Sequence, residues 1–350
     1  MAADIDRQQR FPQEAIKRLA GLGLLGVAVP SAFGGAGLDH VATALVLEEL
    51  ASACASTALV ASTHSLLVCA PLLRFASEAQ KQAWLPALAT GEKLGCFAAS
   101  ETEGGSAAGD TGTMARREGD GWVLQGAKSF VTAGPAANCA LVFAATSPST
   151  LSAFWVPTDA RGVTFGAPYA KLGLRGALAA SMNLDDVRLP SNALVGADGQ
   201  GEEILRFAAE GSRIGAAALG VGLARAAFST ATRYALSRKS HGRPIVEHQT
   251  IQFMLAEMST QIDAARLLTW RAANCRDVGA PMGAQAAMAK LVASETATRV
   301  SSDAVQVLGG NGCLAEFAVE RHFRDAKVLE IYEGTNEIQR LGIASALLKD

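Results

Sequence analysis

Residues 328–340 read Val-Leu-Glu-Ile-Tyr-Glu-Gly-Thr-Asn-Glu-Ile-Gln-Arg. An aromatic, a carboxylate and a glycine stand together just before a helix that begins at Thr335 or Asn336. Asn336 suits an N-cap, and Glu337 suits a first turn, where negative charge meets the positive end of the helix dipole. Glu333 is backed by Ile331 and Tyr332 and followed by the flexible Gly334. In a mostly apolar pocket such a carboxylate has a raised pKa and can act as a general base near neutrality. The local sequence also fits a solvated loop carboxylate, so the rest of the chain must decide.

Before this stretch, residues 201–327 read mostly as helices. Ile204, Phe207, Ala208, Ile214, Ala218, Val221, Phe228 and Ala231 trace an apolar stripe that predicts one helix to about Tyr234. Two more are predicted over about 247–277 and 284–308, the last with Glu295–Arg299 and Arg299–Asp303 as i,i+4 ion pairs. It closes at Gly309-Gly-Asn-Gly312. Long helices with short links predict a bundle over 201–350. From about 94 to 200 the pattern differs. Gly121–Thr132 alternates, and Leu141–Ala145, Leu151–Val156 and Met182–Leu189 are further strand candidates, which together suggest a small β-barrel or sandwich. Residues 12–90 read as helices again. Pro12 suits a first turn, 40–62 are alanine-rich, and Ser77 is the N-cap of a helix over 78–88. The fold class is mainly α with a central β domain: an N-terminal helical domain over 1–93, a small β-barrel over 94–200, and a C-terminal four-helix bundle.

The chain has 350 residues, 31 basic against 33 acidic, and a net charge of −2. That balance argues against nucleic acid as a partner. The apolar run from Ile214 to Ala224 is too short for a membrane span, and Met1–Arg7 has no apolar core of a signal peptide. The six cysteines are widely spaced with no metal-type spacing, so free buried thiols in a reducing cytoplasm are expected. Gly21-Leu-Gly-Leu-Leu-Gly26 matches a dinucleotide fingerprint, but a helix precedes it where a strand is required. It reads as a tight turn between packed helices.

Four motifs in order make the chain resemble the acyl-CoA dehydrogenase family over nearly its whole length. They are Tyr234-Ala-Leu-Ser-Arg-Lys-Ser-His-Gly-Arg243, Val305-Gln-Val-Leu-Gly-Gly-Asn-Gly312, Arg324-Asp-Ala-Lys327 and Ile331-Tyr-Glu-Gly-Thr335. Gly95–Glu101, Gln80–Leu85, Leu267–Ala273 and Ala286–Leu291 look most like the short-chain, butyryl-CoA branch. The resemblance implies FAD, an acyl-CoA substrate, and Glu333 as the base that removes the α proton while the β hydrogen leaves as hydride to flavin N5. Hydrogen bonds to the thioester carbonyl offset the weak acidity of that proton. One implied donor is the N–H of Glu333 itself. Some branches carry the base on the long helix, at the position of Ser212, which is no carboxylate; Glu210 is two residues off.

By the same resemblance, Phe97, Ala99, Ser100, Ser106, Phe130 and Thr132 would meet the flavin and pyrophosphate. Arg238, His241, Gln306, Gly310 and Thr335 would meet the rest of FAD, partly from a neighbouring subunit. Ser106, Arg213, Tyr332 and Gly334 would meet substrate, and Ala61, Ser62 and Thr63 would line the acyl end. No metal is implied. The implied partners are an electron-transfer flavoprotein and a homotetramer or homodimer. Three departures stand out. The flavin loop Glu101-Thr-Glu-Gly-Gly-Ser-Ala107 lacks the usual proline and aspartate, His241 replaces a usual phenylalanine, and the usual first helix is expected to be largely absent, as if about 30 residues of the family pattern were missing. Two alternatives stay open: the same desaturation on a carrier-protein-bound acyl group, and a flavin oxidase of this fold.

Overall fold

The computed structural model describes residues 1–102 and 111–348. Six helical stretches come first: α1 (Ala2–Gln8), α2 (Gln13–Gly21), α3 (His40–Ser62), a π-helical turn over Thr63–Cys69, α4 (Ala70–Phe75) and α5 (Glu78–Ala89). Ser77 caps α5 in a full capping box with Gln80. A helix runs into Gly21, and a Cβ on Gly26 would lie 2.7 Å from Ala89 O. The glycine run is thus a close-packed turn. No helix is expected before Pro12, yet α1 forms there. It is docked by Ile5, which is 1% exposed, and by Asp6.

Eight strands follow: β1 (Gly95–Ala98), β2 (Met114–Glu118), β3 (Gly121–Thr132), β4 (Cys139–Ser147), β5 (Thr150–Pro157), β6 (Val163–Phe165), β7 (Ala179–Leu189) and β8 (Leu194–Val195). They form one sheet in the order β6-β7-β3-β2-β4-β5-β8, with β1 parallel to β4. The ends of this path, β6 and β8, are not paired with each other among the described residues. Alternation along β4 explains how the sheet is buried on both sides. Leu141 and Phe143 join Leu72, Leu85 and Leu88 of the N-terminal helices. Ala140, Val142 and Ala144 join Leu124, Phe154 and Met182 on the other face.

The chain then forms α6 (Gly201–Ser237), α7 (Gln249–Asp277), α8 (Gly283–Leu308), α9 (Val319–Leu329) and α10 (Asn336–Leu347). Small residues let α6 and α8 approach closely; a Cβ on Gly220 would lie 2.7 Å from Ala293 O. The intrahelical pairs expected on α8 do not form. Glu295 pairs with Arg340 of α10, and Arg299 lies 3.6 Å from Glu257 of α7, because neighbouring helices offer partners on that face. The stretch His40–Phe75 and α6 are each long and apolar enough to cross a membrane, but 61% and 72% of their apolar windows are buried inside the protein. They are core helices of this fold.

All three regions meet at Arg324. Its guanidinium binds Asp6 of α1 in a bidentate pair (3.0 and 2.7 Å), Glu320 of α9 (2.8 Å) and Leu172 O in the loop between β6 and β7 (3.2 Å). Next to it, Asp325 is 3% exposed and accepts from Leu174 N at 2.5 Å.

Candidate active site

Glu333 sits in the turn between α9 and α10 with φ of +56°, followed by Gly334 at +85°. A glutamate with positive φ is strained, and such strain persists only where the surroundings enforce it. Here they do. Gly334 O accepts from Lys290 Nζ (2.8 Å) and Gln339 Nε2 (2.9 Å). The N-cap of α10 is Thr335, whose hydroxyl accepts from Ile338 N. Asn336, expected as a candidate cap, instead turns inward, where its Oδ1 accepts from Lys290 and Ser294.

The Glu333 carboxyl lies beside Ser212 of α6, with Arg213 and Lys290 in its field. Burial raises its pKa above the ordinary carboxylate range, and the Ser212 hydroxyl and the two cations pull it part of the way back. The Ser212 oxygen is also 2.9 Å from Ala209 O. Its single hydrogen can serve one of these acceptors at a time. Among the described residues, nothing accepts the backbone N–H of Glu333. Tyr332 Oη, Arg213 Nε and Gln339 Oε1 are buried without partners among the described residues. Orphaned polar groups around one base mark a place where a polar ligand belongs. Glu210, the alternative base, contributes to the fields at Arg213 and Arg276 and does not enter that of Glu333.

A second cluster lies on the sheet. The β3–β7 register shifts between Lys128 and Val131, and Phe130 takes φ of +54°. This bulge turns the Phe130 ring outward, 66% exposed, with Tyr169 at 4.9 Å between centroids. Ser129 N donates to Ser100 O (2.8 Å), and Ser129 Oγ is 3.1 Å from Thr102 Oγ1, so Ser100 is tied to the bulge. Thr132 ends the same strand. Ala99 is buried, and the Phe97 ring packs 5.2 Å from Phe143, which leaves backbone rather than side chain for a ligand at Phe97. Ser106 lies outside the described residues.

Sequence reasoning missed what holds this cluster. Lys128 is fully buried and pairs with Glu101 at 2.7 Å. Glu101 also accepts from Gly112 N (2.7 Å), Thr113 N (3.1 Å), Thr113 Oγ1 (2.6 Å) and Thr111 Oγ1. These bonds hold its carboxyl well below the usual range, at about 2, against the opposing effect of burial. The clasp joins the two sides of residues 103–110. The only sequence signal was an apolar strand interrupted by one lysine.

A third group collects at one end of the bundle. Arg238 follows α6, and Gln306 and Gly310 end α8; all three are exposed, and Asn311 Nδ2 bonds Tyr234 Oη at 2.9 Å to join the two ends. Gly309 closes α8 with φ of +59°, as its glycine run predicts. His241 is exposed in the short hairpin of Lys239–Ser240 with Arg243–Pro244, at φ of +49°. Cys69, Cys96 and Cys139 are buried free thiols, Cys54 and Cys275 are partly exposed, and Cys313 is exposed, contrary to the expectation that all are buried. No cluster of three metal-type ligands occurs among the described residues.

The N-terminal, middle and C-terminal domains of acyl-CoA dehydrogenase match residues 1–92, 96–187 and 199–348. The chain belongs to the acyl-CoA dehydrogenase family. It is therefore an oxidoreductase of a family that depends on FAD. The short-chain specific acyl-CoA dehydrogenase of Homo sapiens mitochondria is 45% identical over 353 residues, covering 100% of this chain and 86% of that protein. The butyryl-CoA dehydrogenase of Megasphaera elsdenii is 37% identical with a TM-score of 0.97, covering 99% of this chain and 93% of that one. A prolyl acyl carrier protein oxidase has a TM-score of 0.96 at 29% identity, covering 99% of this chain and 93% of that one. The residues present fit the acyl-CoA dehydrogenase cofactor. An exposed Phe130 ring offers a flat apolar face, Ser100 and Thr132 offer hydroxyls near it in the chain, and Arg238 offers an exposed cation that forms no ion pair among the described residues.

Proposed function

We propose that this chain catalyses α,β-dehydrogenation of a short-chain acyl-CoA thioester to the trans-2-enoyl thioester. The observation that carries the reading is Glu333: a carboxyl in a strained, braced turn, with its pKa raised by burial and a free N–H on the same residue. Such a base takes the α proton once ionised. Its own N–H, aimed at the thioester carbonyl, stabilises the charge that builds on oxygen as that proton leaves. Bound FAD supplies the two-electron acceptor for the β hydrogen. Ser100, Phe130 and Thr132 would hold its flavin ring, and Arg238, His241, Gln306, Gly310 and Thr335 the remainder. Arg213, Tyr332 and Gly334 would contact substrate. Ser62, which would line the acyl end, packs against α6, where a Cβ on Gly215 would lie 2.2 Å from its hydroxyl. An electron-transfer flavoprotein as acceptor, a homodimer or homotetramer, and a cytoplasmic location belong to the same reading.

A second reading rests on the altered stretch Glu101–Ala107 and on the likeness to a carrier-protein oxidase. It gives the same base chemistry to a carrier-bound acyl group, or gives the electrons to oxygen. Anaerobic mixing of the FAD-loaded protein with butyryl-CoA separates the readings. Bleaching of the flavin by the wild type and none by Glu333→Gln is the expected result. No bleaching with any short or medium thioester would sink the main reading, and peroxide release at the turnover rate would favour the oxidase.

A further inference from the structure

Lys290 lies in the stretch Ala286–Leu291, which carries a branch likeness and no site role. It is fully buried, and among the described residues no carboxylate lies within salt-bridge distance of it. Its ammonium instead donates to two neutral oxygens, Gly334 O at 2.8 Å and Asn336 Oδ1 at 2.9 Å. A buried cation is costly unless its surroundings compensate. The compensation here comes from the turn that carries Glu333. Ser294, one helical turn along α8, holds the far side of the same Asn336 oxygen at 3.1 Å.

We propose that Lys290 is a positioning residue for the proton transfer: through Gly334 O and Asn336 it holds the left-handed turn that presents Glu333, and its positive charge favours the ionised base. The inference rests on the dehydrogenase reading given above. The geometry links the two roles. A carbonyl pinned at Gly334 fixes the peptide plane between Gly334 and Thr335, one residue past Glu333, and the glutamate keeps a φ that glycine would normally supply. Gln339 shares the load, donating to Gly334 O at 2.9 Å and to Glu333 O at 3.4 Å. A Cβ at residue 334 would lie 2.7 Å from that amide, so glycine at 334 leaves room for the Gln339 bonds.

The charges around the pair are few. Ser212, Arg213 and Lys290 face Glu333, and Tyr332 adjoins it. Glu333, Glu330 and Glu337 act favourably on Lys290, and Arg213 acts against it. Burial brings the Lys290 ammonium down to about 8, so it stays charged at neutral pH and begins to lose its proton in mildly alkaline solution. Removing the charge takes away one of two cations that keep Glu333 ionised.

Two variants separate hydrogen bonding from charge. Lys290→Gln can still donate to Gly334 O; Lys290→Met fills the volume and donates nothing. In anaerobic single turnovers, normalised per bound flavin, the expected bleaching rate falls about tenfold for Gln and about a hundredfold for Met, with KM within about twofold, and the acidic limb of kcat/KM moves to higher pH in both. A wild-type rate per flavin and an unmoved acidic limb would overturn the proposal, even if flavin content or stability fell. Hydrogen exchange on a peptide spanning 330–340 reads the turn without substrate. Faster exchange in Lys290→Met supports the bracing, and unchanged exchange overturns it. Failure of the wild type to bleach would instead strike the dehydrogenase reading, leaving the exchange result to judge Lys290.

Discussion

Consider Glu101→Gln against Lys128→Met, the two ways to break the clasp on the sheet. The pair is asymmetric. Lys128 is fully buried, and besides Glu101 it has Thr111 Oγ1 at 2.8 Å and Ala99 O at a marginal 3.4 Å. Glu101 retains 16% side-chain exposure and accepts from four further donors. Glu101→Gln therefore strands a buried cation, which costs about 3–5 kcal/mol. Lys128→Met removes one charge-assisted bond from a carboxylate that stays solvated and bonded, which costs about 1.5–3 kcal/mol. The difference is about 2 kcal/mol, or about 4–8 °C in melting temperature at the sensitivity of mid-sized domains. Thermal melts followed by circular dichroism measure it. The double variant should recover part of the loss in Glu101→Gln, because the stranded charge is gone. If Lys128→Met proves at least as damaging as Glu101→Gln, or the double variant is worse than both, the clasp does not work by compensating a buried ammonium.

Two further outcomes follow from the site and its support. Ser212→Ala removes a hydroxyl that stabilises the ionised Glu333, so the pKa of the base rises further and the acidic limb of kcat/KM shifts to higher pH, as steady-state rates against pH would show. Asp325 has its pKa raised from 3.8 to about 7, chiefly by burial, against the Leu174 N–H, Arg321 and Arg324. A carboxyl raised in the folded state contributes stability that is full below about pH 4 and is lost as pH rises through 7. Asp325→Asn keeps an acceptor for Leu174 N and does not titrate. Its melting temperature should vary less between pH 5 and 8 than that of the wild type, and an equal slope in both would refute this account.

The long helices and main strands were readable because their burial is periodic. The stripe on α6 and the alternation of β3 each repeat one local rule over many residues. What escaped is what depends on contacts distant in sequence. α1 is too short to show a period, and its stability comes from Ile5 and from Asp6 reaching Arg324. Glu333 was found because its motif is contiguous. Lys290 and Lys128 were overlooked because a lysine in a helix or strand normally reads as solvated, and only the fold shows that both are buried. The i,i+4 pairs on α8 failed for the reverse reason: spacing says which groups can meet on one helix and says nothing of better partners on α7 and α10. Thr335 and Asn336 are both good caps by type, and the choice between them was made by Lys290 and Ser294.

Arg324 binds the first helix, the loop between β6 and β7 and the penultimate helix through one guanidinium. A planar group with fixed donors cannot follow three bodies moving independently. The joint between sheet and bundle consequently has no hinge at this point. The same knot ties residue 6 to residue 324, so the ends of the chain enclose the middle. Melting of any one region removes a ligand of that guanidinium from the others, which couples the three regions toward a single cooperative transition.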